Sequence, residues 1–217
     1  MPKATTSATT KGAPIHNRCG WSGNAEDYQI YHDTEWGFPV SDDRHLFEKL
    51  CLEGFQSGLS WITILRKRDN FRKAFANFDM DRMAGWNVRS VDRLVQDAGI
   101  IRHRGKIEAA LNNARCAIAL REEWGSLAAF FWSFEPDPKD RPKKLDEKAL
   151  LSLTQTEASK AMAKTLKKRG FKFVGPTTAY AFMQSMGIVN DHAEHCDVRA
   201  QAERARDAFS RPTRTNR

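Results

Sequence analysis

The amino-acid sequence predicts an all-α fold in two lobes, and three observations carry that prediction. Apolar residues recur at helical spacing along most of the chain, as in Ile107, Ala110, Leu111, Ala114 and Ile118. Between these stretches stand residues that start and end helices, while alternating runs and hairpin dipeptides of the kind that mark strands are lacking. The stretch EPDPKDRPKK at 135–144, with three prolines and dense charge, interrupts the pattern and reads as a crossover between the lobes.

The elements follow in chain order. Ser41, followed by Asp42 and Asp43, reads as an N-cap with acids in the first turn of a helix that buries Leu46, Phe47, Leu50 and Cys51. A second helix starts near Ser60, with Trp61, Ile64, Leu65, Phe71 and Phe75 on its inner side, and Ser90 caps a short helix through Leu94 and Val95. Residues 104–121 form the clearest helix, and 124–134 a short aromatic one. Thr154 and Glu157 suit a capping box for a helix that Gly170 ends. Pro176 fits the first turn of the next helix, ended by Gly187.

With 217 residues, 41% hydrophobic and 29% charged, the composition is that of a folded domain rather than a disordered chain. No apolar run reaches the roughly 20 residues of a membrane span, and the polar start lacks a signal-peptide core, which implies a cytoplasmic protein with no membrane partner. The net charge of +8 sits mostly at the two ends. Residues 1–15 and 199–217 therefore read as a disordered extension and a basic disordered tail around a domain at 16–198. Basic tails of this kind serve equally as solvated appendages or as nonspecific nucleic-acid arms. Nothing in the sequence suggests an oligomer, so a monomer is expected.

Two local patterns carry chemistry. In the first, the basic helix with Lys164, Lys167 and Lys168 runs into Gly170-Phe171-Lys172-Phe173-Val174-Gly175-Pro176, and another helix follows at once. The two glycines bracket a tight turn whose backbone N–H groups can face a phosphate, with Lys168 and Lys172 neutralising its neighbours. An ordinary helical turn with a solvated basic face fits this pattern equally well. In the second, Cys19, His32, His192 and Cys196 are all capable metal ligands, and a helical turn from His192 to Cys196 would point both at one ion. Isolated cysteines are just as often small buried hydrophobes, and spacing alone leaves both readings open.

A set of longer strings occurs in order: Arg18-Cys19-Gly20-Trp21, Tyr31-His32-Asp33, Glu35-Trp36-Gly37, Cys51-Leu52-Glu53-Gly54, Gly58-Leu59-Ser60-Trp61, Asp97 through Lys106, and Gly170 through Gly175. Over residues 18–196 the chain resembles the 3-methyladenine DNA glycosylase I family of the helix–hairpin–helix superfamily. The resemblance implies one structural Zn²⁺ on Cys19, His32, His192 and Cys196, joining the chain ends. It also implies an aromatic base pocket of Trp21, Tyr28, Tyr31 and Trp61 with Glu53 as its carboxylate. A DNA wedge falls on Gly58-Leu59, and DNA contacts on Lys168, Gly170, Lys172 and Gly175. The implied partner is double-stranded DNA carrying alkylated adenine, and the implied reaction is release of 3-methyladenine by base flipping. One departure stands out. Many members of the superfamily carry an aspartate two residues before a histidine, where this chain has Asn190, unless Asp191 serves in shifted register. On the residues alone, Trp61 and the tyrosines would be core, and a damage-binding protein without catalysis or a zinc-stapled binding module would remain as readings.

Overall fold

A computed structural model describes residues 15–215. Twelve α-helices and three short 3-10 turns account for their regular structure, and no strand occurs among the described residues. The helices are α1 (Glu26–Thr34), α2 (Asp43–Gln56), α3 (Trp61–Leu65), α4 (Arg68–Ala74), α5 (Met80–Ala84), α6 (Val88–Leu94), α7 (Arg104–Trp124), α8 (Leu127–Trp132), α9 (Glu147–Ser152), α10 (Glu157–Lys168), α11 (Pro176–Ser185) and α12 (Arg199–Asp207). The all-α expectation holds. An N-terminal extension was expected over 1–15, of which residues 1–14 lie outside the described residues.

Helix α2 is the axis of the domain. Every residue from Leu46 to Phe55 is buried, so the helix is enclosed on all sides, packing against α3, α7, α8 and α11. Around it Phe55, Phe71, Phe75 and Phe78 form an aromatic column, with Phe55 and Phe71 centroids 4.7 Å apart and Phe75 stacked on Phe78 at 5.6 Å. Each such ring contributes about 1.5–3 kcal/mol through burial. A helix enclosed in this way must neutralise its charges internally. Glu48 meets Arg72 at 2.8 Å and Lys49 meets Glu53 at 2.8 Å.

Several boundaries differ from the sequence reading for identifiable reasons. Asp42 rather than Ser41 caps α2, accepting from His45 N at 2.7 Å. The helix expected from Ser60 through Phe75 is two, α3 and α4, separated at Arg66 and Lys67, although the inward face is as expected. Asn87 caps α6, leaving Ser90 inside it, and Ser126 caps α8, leaving Trp124 to α7. The capping box of α10 pairs Thr156 with Ser159 instead of Thr154 with Glu157.

The largest correction concerns the tail. Residues 199–207 are helical, not disordered, and the chain beyond them lies against the domain. Phe209 packs on Trp132 with centroids 4.5 Å apart, Arg206 and Arg211 both pair with Glu135, and Arg214 lies 5.0 Å over the Trp124 ring. Composition counts the arginines but cannot see that two glutamates, Glu123 and Glu135, and two tryptophans await them.

Candidate active site and metal centre

The four expected metal ligands converge. Their ligand atoms lie within 4.8 Å of one another, and all four side chains are buried. Cys196 Sγ stands 3.6 Å from both His32 Nε2 and His192 Nδ1, and Cys19 Sγ stands 3.8 Å from His192 Nδ1. These spacings match the edges of a tetrahedron with metal–sulfur bonds of about 2.3 Å and metal–nitrogen bonds of about 2.0 Å. The outer nitrogens are engaged as well. His32 Nδ1 meets Asp33 Oδ1 at 2.8 Å, and His192 Nε2 meets the Trp36 carbonyl at 3.0 Å. Both partners accept hydrogen bonds only, so each ring carries its proton on the outer nitrogen and offers a lone pair inward.

Gly37 permits this approach, for a Cβ there would stand 2.9 Å from His192 Nε2 and its φ of +84° is left-handed. Between the two sulfurs, the hydrogen bond from Cys19 pulls the Cys196 thiol well below its usual range and pushes the Cys19 thiol up. One departure from expectation is local. His192 to Cys196 is an irregular turn, closed by Cys196 N on the Ala193 carbonyl at 2.9 Å, rather than a helical turn.

Beside this cluster opens a cavity of about 460 Å³ whose lining includes Trp21, Tyr28, Tyr31, Glu53 and Trp61, the five residues singled out from the sequence. Tyr28 lies edge-on to Trp21 at 5.1 Å and Tyr31 is tilted against Trp61 at 5.4 Å. Trp21 also touches His32 and Trp36 edge-on at 5.2 and 4.9 Å, so one cavity wall rests on the metal cluster. The cavity is lined by residues of α1, α2 and α3 together with residues of α9 and α11, Asp191 and Ala193. Trp61 Nε1 is buried without a hydrogen-bond partner among the described residues, leaving a donor free beside the cavity.

Sequence reasoning missed one residue of the lining, and Asp191, which it weighed in shifted register, proves to be engaged elsewhere. Lys49, one turn before Glu53 on α2, donates to Tyr31 Oη at 2.9 Å, and its ammonium lies 3.1 Å over the Trp61 ring. Its helical spacing from Glu53 was the available signal, hidden because a lysine is ordinarily expected to reach solvent. Asp191 is fully committed: Oδ1 pairs with Arg141, while Oδ2 accepts from Tyr180 Oη at 2.5 Å and Gln184 Nε2 at 2.8 Å. Asn190 donates to the Arg199 carbonyl and Glu203, and its Oδ1 accepts from His192 N at 3.2 Å. It therefore fixes α12 against the metal cluster, whereas Asp191 fixes α11 against the crossover.

The remaining expected residues lie on the surface near the same helix. The turn after α2 exposes Leu59 by 41%, and Gly58 adopts a φ of +81° in open space. Lys106 Nζ braces this turn by donating to the Phe55 and Ser57 carbonyls at 2.9 and 2.6 Å. Helices α10 and α11 pack together on either side of a hairpin turn at residues 169–175. Asn112 and Asn113 of α7 hold its hairpin, Asn112 Nδ2 donating to the Gly170 carbonyl at 2.7 Å and Asn113 exchanging hydrogen bonds with the Lys172 backbone.

Gly170 has a φ of +86°, which explains the glycine. Gly175 has an ordinary φ of −81° and open space where a Cβ would stand, so neither backbone nor neighbours require it. It begins α11 without a side-chain cap, leaving first-turn N–H groups bare. Phe173 packs against Gly54, which sets the hairpin beside the helix that carries Glu53, and Lys168 and Lys172 are exposed.

Fold and site together define a helical protein with a hairpin between α10 and α11 beside an aromatic, acid-bearing cavity. The methyladenine glycosylase family profile matches residues 21–200, and the chain belongs to that family. It is 49% identical over 180 residues to DNA-3-methyladenine glycosylase 1 of Escherichia coli strain K12, covering 82% of this chain and 95% of that protein. It is 48% identical to DNA-3-methyladenine glycosylase of Haemophilus influenzae, covering 82% and 96%. A solved structure of 3-methyladenine DNA glycosylase I from Staphylococcus aureus, described as the basis of 3-methyladenine recognition, superposes with a TM-score of 0.78 at 32% identity, covering 84% of this chain and 96% of that one.

Proposed function

We propose that this chain is a monofunctional DNA glycosylase that hydrolyses the N-glycosidic bond of 3-methyladenine in alkylated double-stranded DNA. The observation that carries the reading is the convergence of Glu53 with Trp21, Tyr28, Tyr31 and Trp61 on one cavity of about 460 Å³, room enough for a flipped purine. Methylation at N3 makes the adenine ring cationic, so the base departs without needing a proton from the protein. That chemistry suits a site whose nearest aspartate, Asp191, has both carboxylate oxygens engaged. Binding then has three parts. The aromatic rings stack on the base, Glu53 accepts from its exocyclic amine, and Leu59 fills the gap left in the DNA stack.

The hairpin turn at Gly170–Gly175 and the bare N–H groups of α11 hold a backbone phosphate, with Lys168 and Lys172 neutralising its neighbours. No lysine follows the hairpin, where Pro176 leads to Thr177 and Thr178. Lys49 has its N–H groups directed to Glu53, Tyr31 and the Trp61 face, so it acts as a cation in an ion pair rather than as an amine nucleophile. Cys19, His32, His192 and Cys196 hold one Zn²⁺. Two thiolates and two imidazoles leave it neutral and without an open position, so its role is structural. The glycosylase unit spans 16–198 together with α12 and the tail packed on it, works as a monomer and acts in the cytoplasm. No helix among the described residues is long and apolar enough to cross a membrane.

The test is base release from DNA treated with a methylating agent. The wild type is expected to free 3-methyladenine and leave 7-methylguanine in place. Glu53→Gln is expected to slow release by about 100-fold or more, in line with the loss of one preorganised charge contact. A folded wild type that releases nothing would leave a damage-binding protein in place of an enzyme.

A further inference from the structure

The base cavity contains a cation of its own. Lys49 and Glu53 are both 5% exposed in their side chains and stand 2.8 Å apart at i and i+4 on the enclosed helix α2. The same ammonium meets Tyr31 Oη at 2.9 Å and lies 3.1 Å over the Trp61 ring. Carboxylate and indole are the two groups by which a cavity attracts a positive base, and both are already engaged by a positive side chain. We propose that Lys49 is a specificity-determining residue, a tethered cation that competes with a cationic base for the Glu53 charge and the Trp61 face. The inference rests on the glycosylase reading above.

The physical consequence is a change in what the cavity selects. A lone buried carboxylate favours a cation over a neutral molecule of the same shape. A carboxylate–ammonium pair presents a dipole, whose field falls faster with distance, so shape and hydrogen bonding gain weight relative to charge. No other charge restores the imbalance. Of the groups facing Lys49 from neighbouring elements, Tyr31 on α1 is a neutral hydrogen-bond acceptor, and Glu35, just after α1, is bound to Arg68 on α4 at 2.6 Å. Burial pulls the Lys49 ammonium down to about 8 against the opposing attraction of Glu53. The cation is therefore present at neutral pH and is lost above it.

The test compares a permanently charged base with a neutral one. The affinities of 3,9-dimethyladeninium and of 9-methyladenine are measured by tryptophan fluorescence at pH 7 and pH 9. The proteins are the wild type, Lys49→Met and Lys49→Gln, each checked for folding by circular dichroism. The preference for the cation is expected to rise roughly 10-fold in both variants at pH 7. In the wild type it should rise between pH 7 and pH 9, while in the variants it stays flat. An unchanged preference in both variants overturns the proposal. So does a weakened cation affinity in Lys49→Met that Lys49→Gln restores, because that pattern belongs to a residue that only positions Glu53. Base release from methylated DNA is followed in parallel, and its absence in the wild type defeats the glycosylase reading independently of the ligand preference.

Discussion

At the chain ends, two sulfurs and two imidazole nitrogens turn toward one point, and the outer nitrogen of each imidazole is fixed by Asp33 or the Trp36 carbonyl. In the cavity beside them, the polar groups line an open space instead. Glu53 leans on Lys49, and the Trp61 indole N–H has no partner among the described residues. The first arrangement would be completed by one small ion. The second keeps unspent hydrogen-bonding capacity for a guest with a planar shape. Full satisfaction makes a strut, and incomplete satisfaction makes a binding site.

The largest effect that can test this contrast is on the strut. Cys196→Ser should abolish zinc retention, measured by atomic emission, and lower the melting temperature by well over 10 °C, since a structural zinc contributes on the order of 10 kcal/mol. An unchanged melting temperature with zinc absent would make the cluster incidental to the fold. A second measurement addresses the cavity. The folded state lowers the Lys49 pKa from 10.5 to about 8, so between those values the unfolded chain binds more protons. Stability of the wild type relative to Lys49→Met should therefore rise as pH increases from about 8 toward 10.5, read by denaturant melts; a falling difference would reverse the assignment.

Next in size, Asp33→Asn should weaken zinc affinity by about 10–100-fold in a competition assay with a chromophoric chelator while leaving the cavity's ligand affinity nearly intact. The smallest effect belongs to the exposed lysines. Lys172→Ala should reduce the slope of log affinity against log salt on undamaged duplex DNA by about 1, with no change in zinc content. A slope equal to that of the wild type would remove Lys172 from the DNA surface.

The same contrast explains what could be read without a structure. Cysteine and histidine are few, and their chemistry marked four of them as capable metal ligands, but across more than 150 residues spacing left buried thiols as an equal reading until the resemblance to a family chose between them. Helix α7 was legible because its apolar positions keep one period throughout. Trp61 and Glu53 were not, since an aromatic residue in a helix looks the same whether it faces core or cavity, and only the resemblance to a family separated the two. Lys49 escaped notice because its meaning depends on α2 being enclosed on every side, a property of its neighbours rather than of its own segment. The arginine-rich end was misjudged for the same reason: Glu135, Trp124 and Trp132, which hold it, lie more than 60 residues upstream.

The placement of Trp21 against His32 and Trp36 has a consequence for synthesis. Residues 19 and 32 leave the ribosome early, but their partners at 192 and 196 emerge only when nearly all of the described chain has been made. At about 5–20 residues per second, that leaves a delay on the order of ten seconds or more, during which the cluster behind that wall has only two of its four side chains. A chain that stops before residue 196 therefore carries Glu53, Trp61 and the hairpin glycines yet lacks the fourth side chain of the cluster behind its cavity.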